Sequence, residues 1–273
     1  MLARVVSMSL DEKLDHLKSI ISGCESAVIA FSGGVDSSLV CAVAREVLGD
    51  RAVAVTAVSP TYPPGEIEVA KEVAKRVGIK HLIIKTNELD NPKFVSNPVE
   101  RCYFCKGELL GKLDEIRKKL GFRKILDGTN HDDLSDFRPG LRAAKEFDIV
   151  SPLAMAGLTK GEVRRLARGY RLPNADKPAN PCLASRVPFG SKITPERLER
   201  IAKGEAFLHS LSFKIVRVRD HGGLARVEVG KDELQKALEL KDVIVENLNR
   251  LGYTFVTLDL EGYRSGSLNP QRQ

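Results

Sequence analysis

The chain has 273 residues, 42% hydrophobic and 29% charged, a balance that fits a globular protein of two domains and excludes a disordered one. Its apolar stretches are only strand-sized, which excludes a membrane-spanning helix. Residues 1–10 lack an apolar core ending in a small-residue cleavage site, so a cytosolic location is expected. A net charge of +7 favours anionic partners such as nucleotides, phosphorylated metabolites or nucleic acids, while 5% aromatics and no Trp argue against stacking of single-stranded bases.

Leu10, Leu14, Leu17 and Ile21 recur at helical spacing, so the chain opens with an amphipathic helix ending near Gly23. Residues 27–31 form a short apolar strand, and Leu39, Val40, Val43, Ala44 and Val47 then mark a helix. A strand over 52–58, a helix through Ile67, Ala70, Val73, Ala74 and Val77, and a strand over 81–85 follow. Leu109, Leu110, Leu113, Ile116 and Leu120 predict another helix, and 124–127 another strand. This alternation of continuous apolar strands with helices is the pattern of a parallel sheet covered on both faces.

The rhythm fades after Pro152. A helix is predicted over 159–170, and the Pro-, Ala-, Asn- and Ser-rich stretch 172–190 reads as a junction, placing the domains at 1–177 and 178–273. Thr194, Pro195 and Glu196 make a helix start. Strands over 213–219 and 224–229, a helix over 231–251 and a strand over 254–260 complete a small α+β unit.

Between the first strand and its helix stands Ser32-Gly33-Gly34-Val35-Asp36-Ser37-Ser38. Two glycines let backbone amides approach phosphate oxygens, the serines add hydroxyls beside the helix's positive end, and Asp36 suits Mg²⁺ held against phosphates. No Gly-Lys-Ser/Thr is present, so this is not a Walker loop. A second loop, Asp127-Gly128-Thr129-Asn130-His131-Asp132-Asp133, leaves the same sheet and can face the same pocket.

Of five cysteines, Cys24 and Cys41 lie among apolar residues and read as core thiols. Cys102 and Cys105 open a helix, whose field favours thiolate, and Cys182 lies in the junction. A lone Cys-x-x-Cys is open to zinc, redox or iron–sulfur chemistry, and no fourth cysteine or well-spaced His completes a closed zinc site. Three thiolates can hold three irons of a [4Fe–4S] cluster and leave the fourth iron open. In the strand 213–219, Arg217 and Arg219 share a face. In 224–229, Arg226 and Glu228 do likewise, opposite apolar residues, so one side can be core while the other gathers guanidinium groups.

The Ser32–Ser38 loop by itself resembles the PP-loop of the ATP pyrophosphatase superfamily, whose fold is adenine nucleotide alpha hydrolase-like. Further motifs follow it in one order. They are Cys102-Tyr103-Phe104-Cys105-Lys106, then Gly128-Thr129-Asn130 with Asp132 and Asp133, then Arg138-Pro139-Gly140, Pro181-Cys182-Leu183-Ala184-Ser185-Arg186 and Gly262-Tyr263-Arg264-Ser265-Gly266. Together they resemble the LarE family of ATP-dependent sulfur-insertion enzymes, which serve nickel-pincer cofactor synthesis.

The resemblance implies that ATP and Mg²⁺ adenylate a carboxylate of pyridinium-3,5-biscarboxylic acid mononucleotide, and that sulfur then displaces AMP. It places ATP on Ser32, Gly33, Gly34, Val35, Asp36, Ser37, Ser38, Gly128 and Thr129, with Asp36 and Cys182 catalytic. The substrate falls to Ser185, Arg186, Arg217, Arg219, Glu228 and Arg264. One branch of the family sacrifices the sulfur of the cysteine matching Cys182. The other carries sulfide on a [4Fe–4S] cluster, here implied on Cys102, Cys105 and Cys182, and this is the branch that the three thiols favour. A sulfide source and a homo-oligomer are also implied. At the level of sequence, tRNA thiolation, amide formation and nucleotide sensing without chemistry stay open.

Overall fold

The computed structural model describes residues 8–134, 140–264 and 266–268; Arg138, Pro139 and Ser265 of the quoted motifs lie outside them. Chain contacts divide it into two compact units. The first holds 1–59, 65–86 and 102–179, and the second holds 60–64, 87–101 and 180–273. Among the described residues, no helix is long and apolar enough to cross a membrane.

In unit 1, helix α1 (Leu10–Ser22) opens on a reciprocal cap between Ser9 and Glu12. It leads to β1 (Ala27–Ala30), α2 (Val35–Leu48), β2 (Ala52–Val58), α3 (Glu66–Val77) and β3 (Lys80–Lys85). Helix α4 (Arg101–Leu120), β4 (Lys124–Leu126) and α5 (Lys160–Gly169) follow, with short helical turns at Gly140–Glu146 and Pro152–Met155. The four strands pair in parallel in the order β3-β2-β1-β4.

Each strand feeds two cores, because successive side chains point to opposite faces. Ala27, Ile29, Ala52 and Ala54 pack with residues of α1, α2, α3 and α5, including Leu17, Leu39, Ala70 and Val163. Val28, Val53, Val55 and Ile125 pack on the other side with Leu110 and Leu113 of α4. Helices therefore cover both faces, as the pattern predicts. Strand β4 ends one residue early: the Asp127 amide bonds to the Val150 carbonyl while its side chain turns to the following loop.

In unit 2, α6 (Pro195–Ser210) starts on Thr194 and Pro195 as predicted. Strands β5 (Val216–Asp220) and β6 (Leu224–Val229) are antiparallel, and β7 (Phe255–Leu258) joins β6 in parallel. Three predicted elements are shorter, the strand expected over 254–260 being reduced to β7. Residues 213–215 stay outside β5 because the Glu233 carboxylate takes the Lys214 and Ile215 amides. The expected helix 231–251 is broken into α7 (Leu234–Glu239) and α8 (Lys241–Arg250), with Leu240 ending one and starting the other. The core gathers Leu208, Val216, Val218, Val227, Ile244 and Leu248.

The expected single boundary near 177 is not how the contacts divide the chain. Residues 60–64 and 87–101 join unit 2 through backbone bonds from Leu183 to Thr61, Gly190 to Asn97 and Ile193 to Val95. Asn97, fully buried at φ +55°, donates its amide to the carbonyls of Val187, Pro188 and Ser191 and accepts from Arg101 at 2.6 Å. Asn97→Ala strands those buried groups and places alanine in the left-handed region. Urea unfolding is expected to show a loss of about 3 kcal/mol.

Candidate active site

The strand order turns between β1 and β4, and the loops leaving these neighbours emerge at the carboxyl edge of the sheet, where such folds hold ligands. The first loop enters α2 through two glycines. Gly33 is left-handed at φ +75°, and a Cβ there would stand 3.3 Å from the Ala70 Cβ and the Glu66 carbonyl. The Ser37 and Ser38 hydroxyls donate to the Gly34 carbonyl at 3.1 and 2.9 Å. Buried Asn174 donates to the Gly33 carbonyl at 2.7 Å and to Ser38 Oγ at 2.8 Å. With the carbonyls tied back, the amides at the start of α2 form the side suited to an anion.

The second loop meets the first at Gly128. A Cβ on Gly128 would fall 2.7 Å from the Ser37 amide nitrogen and 3.0 Å from its Cα, so only glycine lets the two backbones approach. Asp127 holds this loop from below. Its carboxylate accepts from the Thr129 amide, the Thr129 and Ser151 hydroxyls and the Lys106 ammonium, the last at 2.8 Å. Burial works to raise the Asp127 carboxyl. The Lys106 charge and the bonds from Lys106, Ser151 and Thr129 overcome it and hold the group below the usual carboxylate range.

Asp36 projects from the first turn of α2. Asn130 donates to it at 3.2 Å, and the Lys160 ammonium pairs with its other oxygen. Lys160 also gives its backbone amide to Asp132 at 2.8 Å, and Asp133 accepts the Asn130 amide, so the acidic residues order the turn. Lys106, Lys160 and Asn174 are not among the site residues that the sequence points to. Lys106 stands inside a quoted motif and Lys160 beside a cap, whereas nothing local marks Asn174.

The five cysteines form no disulfide. Cys24 and Cys41 are buried, and burial pushes both thiols up, Cys41 far beyond the ordinary thiol range. Cys102 is exposed, and Cys105 and Cys182 are half-buried. Among the described residues, no three His, Cys, Asp or Glu side chains are grouped as a ready metal site. Of the five thiols, the three that are not buried are those that the sequence singles out.

In unit 2, Arg217, Arg219, Arg226 and Glu228 share one face of the β5–β6 pair, with Arg217 opposite Glu228 and Arg219 opposite Arg226. This face is not solvated: Arg217 and Arg219 are 5% exposed and Glu228 is fully buried. Arg219 pairs with Glu228 at 2.8 Å and donates to the Ser185 carbonyl at 3.1 Å. Burial, together with repulsion from Arg186 and Arg219, pulls Arg217 below the ordinary guanidinium range. Its guanidinium lies over the Tyr263 ring. Arg264 instead pairs with Asp259 and Glu261.

Arg186, expected at a substrate phosphate, is held by the protein around it. It is fully buried, grips Glu205 with two bonds of 2.9 Å, and donates to the carbonyls of Pro181 and Cys182, to Ser185 Oγ and to Asn180 Oδ1. Its donors are engaged by protein, and through them it shapes the Cys182 turn.

A parallel α/β sheet with this glycine turn after β1 and a close second loop after β4 defines a PP-loop ATP-using enzyme, and a family model described as asparagine synthase matches residues 25–97. The chain is 34% identical to the pyridinium-3,5-bisthiocarboxylic acid mononucleotide synthase of Lactiplantibacillus plantarum, over 96% of this chain and 95% of that protein. It is 46% identical to an uncharacterized protein of Synechocystis sp., over 95% and 98%. One of the subunits of the glutamine-hydrolyzing GMP synthase of Archaeoglobus fulgidus is 29% identical over 65% of this chain and 62% of its own length. The chain belongs to the LarE family.

Three outcomes are expected from this geometry. Gly128→Ala pushes the loops apart and weakens ATP binding at least about tenfold, or roughly 1.4 kcal/mol, with the melting temperature little changed, as calorimetry can show. Glu205→Ala leaves a buried guanidinium without its carboxylate and costs about 3–5 kcal/mol in denaturant unfolding. Because the folded Asp127 carboxyl is depressed, its contribution is full above the unfolded value and is lost as pH falls below about 4. Asp127→Asn is expected to flatten that acid limb of the stability–pH curve.

Proposed function

We propose that this protein uses ATP and Mg²⁺ to adenylate a carboxylate of pyridinium-3,5-biscarboxylic acid mononucleotide and replaces the activated oxygen with sulfur. The carboxylate oxygen attacks the α-phosphate and pyrophosphate leaves; a sulfur nucleophile then attacks the acyl carbon and AMP leaves. A thiocarboxylate remains. In this reading Ser32, Gly33, Gly34 and Val35, with Ser37, Ser38, Gly128 and Thr129, receive the nucleotide. Asp36 takes Mg²⁺, beside the Lys160 ammonium that now neutralises it.

The observation that carries the proposal is the buried cationic face of β5 and β6 and its bond to the turn bearing Cys182. Arg219 reaches the Ser185 carbonyl, and Arg186 reaches that of Cys182. Arg217, depressed by its burial and by the neighbouring guanidiniums, gains when an anion arrives, which suits the phosphate and carboxylates of the substrate. Arg217 and Arg219, with Glu228 and Ser185, are the groups assigned to it, and Arg264 to the edge of the same site. A [4Fe–4S] cluster held by Cys102, Cys105 and Cys182 would supply a transferable sulfide. Without one, Cys182 is the sulfur donor. An external sulfide source, a cytosolic location and a homo-oligomeric assembly belong to the same reading and rest on the sequence alone.

Incubation with ATP, Mg²⁺, the pyridinium mononucleotide and sulfide is expected to yield the thiocarboxylate with AMP and pyrophosphate in equal amounts, read by mass spectrometry. Cys182→Ala is expected to keep ATP binding and abolish the sulfur-bearing product. Sulfur appearing in tRNA, or AMP release that needs ammonia, would overturn the proposal.

A further inference from the structure

We propose that Lys106 is the positioning residue that couples nucleotide occupancy of the Gly128 loop to the reactivity of Cys102 and Cys105. The inference rests on the reading that this loop lines the ATP site. Lys106 follows Cys105 directly and lies four residues beyond Cys102, so on α4 it shares a face with Cys102 one turn away. Its ammonium is the cation paired with Asp127 among the described residues.

This pair differs from an ordinary surface ion pair. The Asp127 side chain is 6% exposed, and the same carboxylate fixes the Thr129 amide, the Thr129 hydroxyl and Ser151. Removing its countercharge would leave a buried carboxylate to find another cation or move outward. Either change shifts Gly128, which has no slack against Ser37. The lysine stem is confined as well. A Cβ on Gly140 would stand 3.2 Å from Lys106 Cδ and 3.6 Å from the Cys102 carbonyl, so Gly140 lets the start of α4 lie close. A nucleotide that settles the loop thus settles Lys106, and with it the turn that carries both thiols. Coupling of this kind is reciprocal: thiol modification must alter nucleotide affinity by the same factor.

The test uses reduced, iron-free, full-length protein and α,β-methylene-ATP with Mg²⁺. Alkylation by iodoacetamide is followed at each cysteine by peptide mass spectrometry, with Cys24 and Cys41 as buried references. The analogue is expected to change the rates at Cys102 and Cys105 about fivefold or more. Lys106→Met is expected to weaken analogue binding and erase that change, and Lys106→Arg to restore both. Should Lys106→Met fail to fold, Asp127→Asn cuts the same link from the other side and is expected to erase the change. A folded Lys106→Met that keeps both the affinity and the nucleotide-dependent rates overturns the proposal. So does a parent protein that binds the analogue with no change at these thiols. A parent that does not bind it at all refutes the ATP reading instead.

Discussion

Between Gly128 and the Ser37 amide there is room for a hydrogen and nothing larger. That approach places the loop after β4 against the phosphate turn after β1, and the other features of unit 1 maintain it. Parallel pairing of β1 with β4 brings the two loops to the same edge. Asn174 closes the first loop by binding its Gly33 carbonyl, and Asp127 closes the second through Thr129, Ser151 and Lys106. A buried carboxylate would ordinarily resist ionisation, yet here donors on several sides keep it charged and therefore keep the loop closed. Asp36 then stands at the mouth of the turn, neutralised by Lys160 and steadied by Asn130.

Unit 2 solves a different problem, since it buries more positive than negative charge on one sheet face. Glu205 and Glu228 absorb part of it, Glu205 accepting from Arg186 and the Val218 amide and Glu228 from Arg219 and Arg226. Arg186 is wholly spent in this network, and its bonds to the carbonyls of Pro181 and Cys182 give the Cys182 turn its shape. Arg217 stays under electrostatic pressure from its burial and from Arg186 and Arg219.

Much of this was legible in the sequence because it is local. Continuous apolar runs gave the parallel strands, Ser-Gly-Gly marked the phosphate turn, and alternation in 216–219 and in 224–229 put the arginines on one face and the valines on the other. What escaped depends on contacts distant in the chain. Asn174 reaches back 141 residues to Gly33, and Lys160 reaches 124 residues to Asp36. No spacing rule announces either. The boundary near 177 likewise missed that 60–64 and 87–101 belong with the C-terminal part, because backbone bonds such as Leu183 to Thr61 decide it. Arg186 carried a motif's signal, but only its burial shows which way its donors point.

The central claim is that the Ser32–Ser38 turn presents ATP for attack at the α-phosphate. Exchange of labelled pyrophosphate into ATP tests it most directly, because only a reversible adenylation supports it. The expected exchange requires Mg²⁺ and the pyridinium carboxylate, persists when Cys182 is alanine, and is lost when Gly128 is enlarged. Release of ADP and phosphate with no pyrophosphate exchange would contradict it.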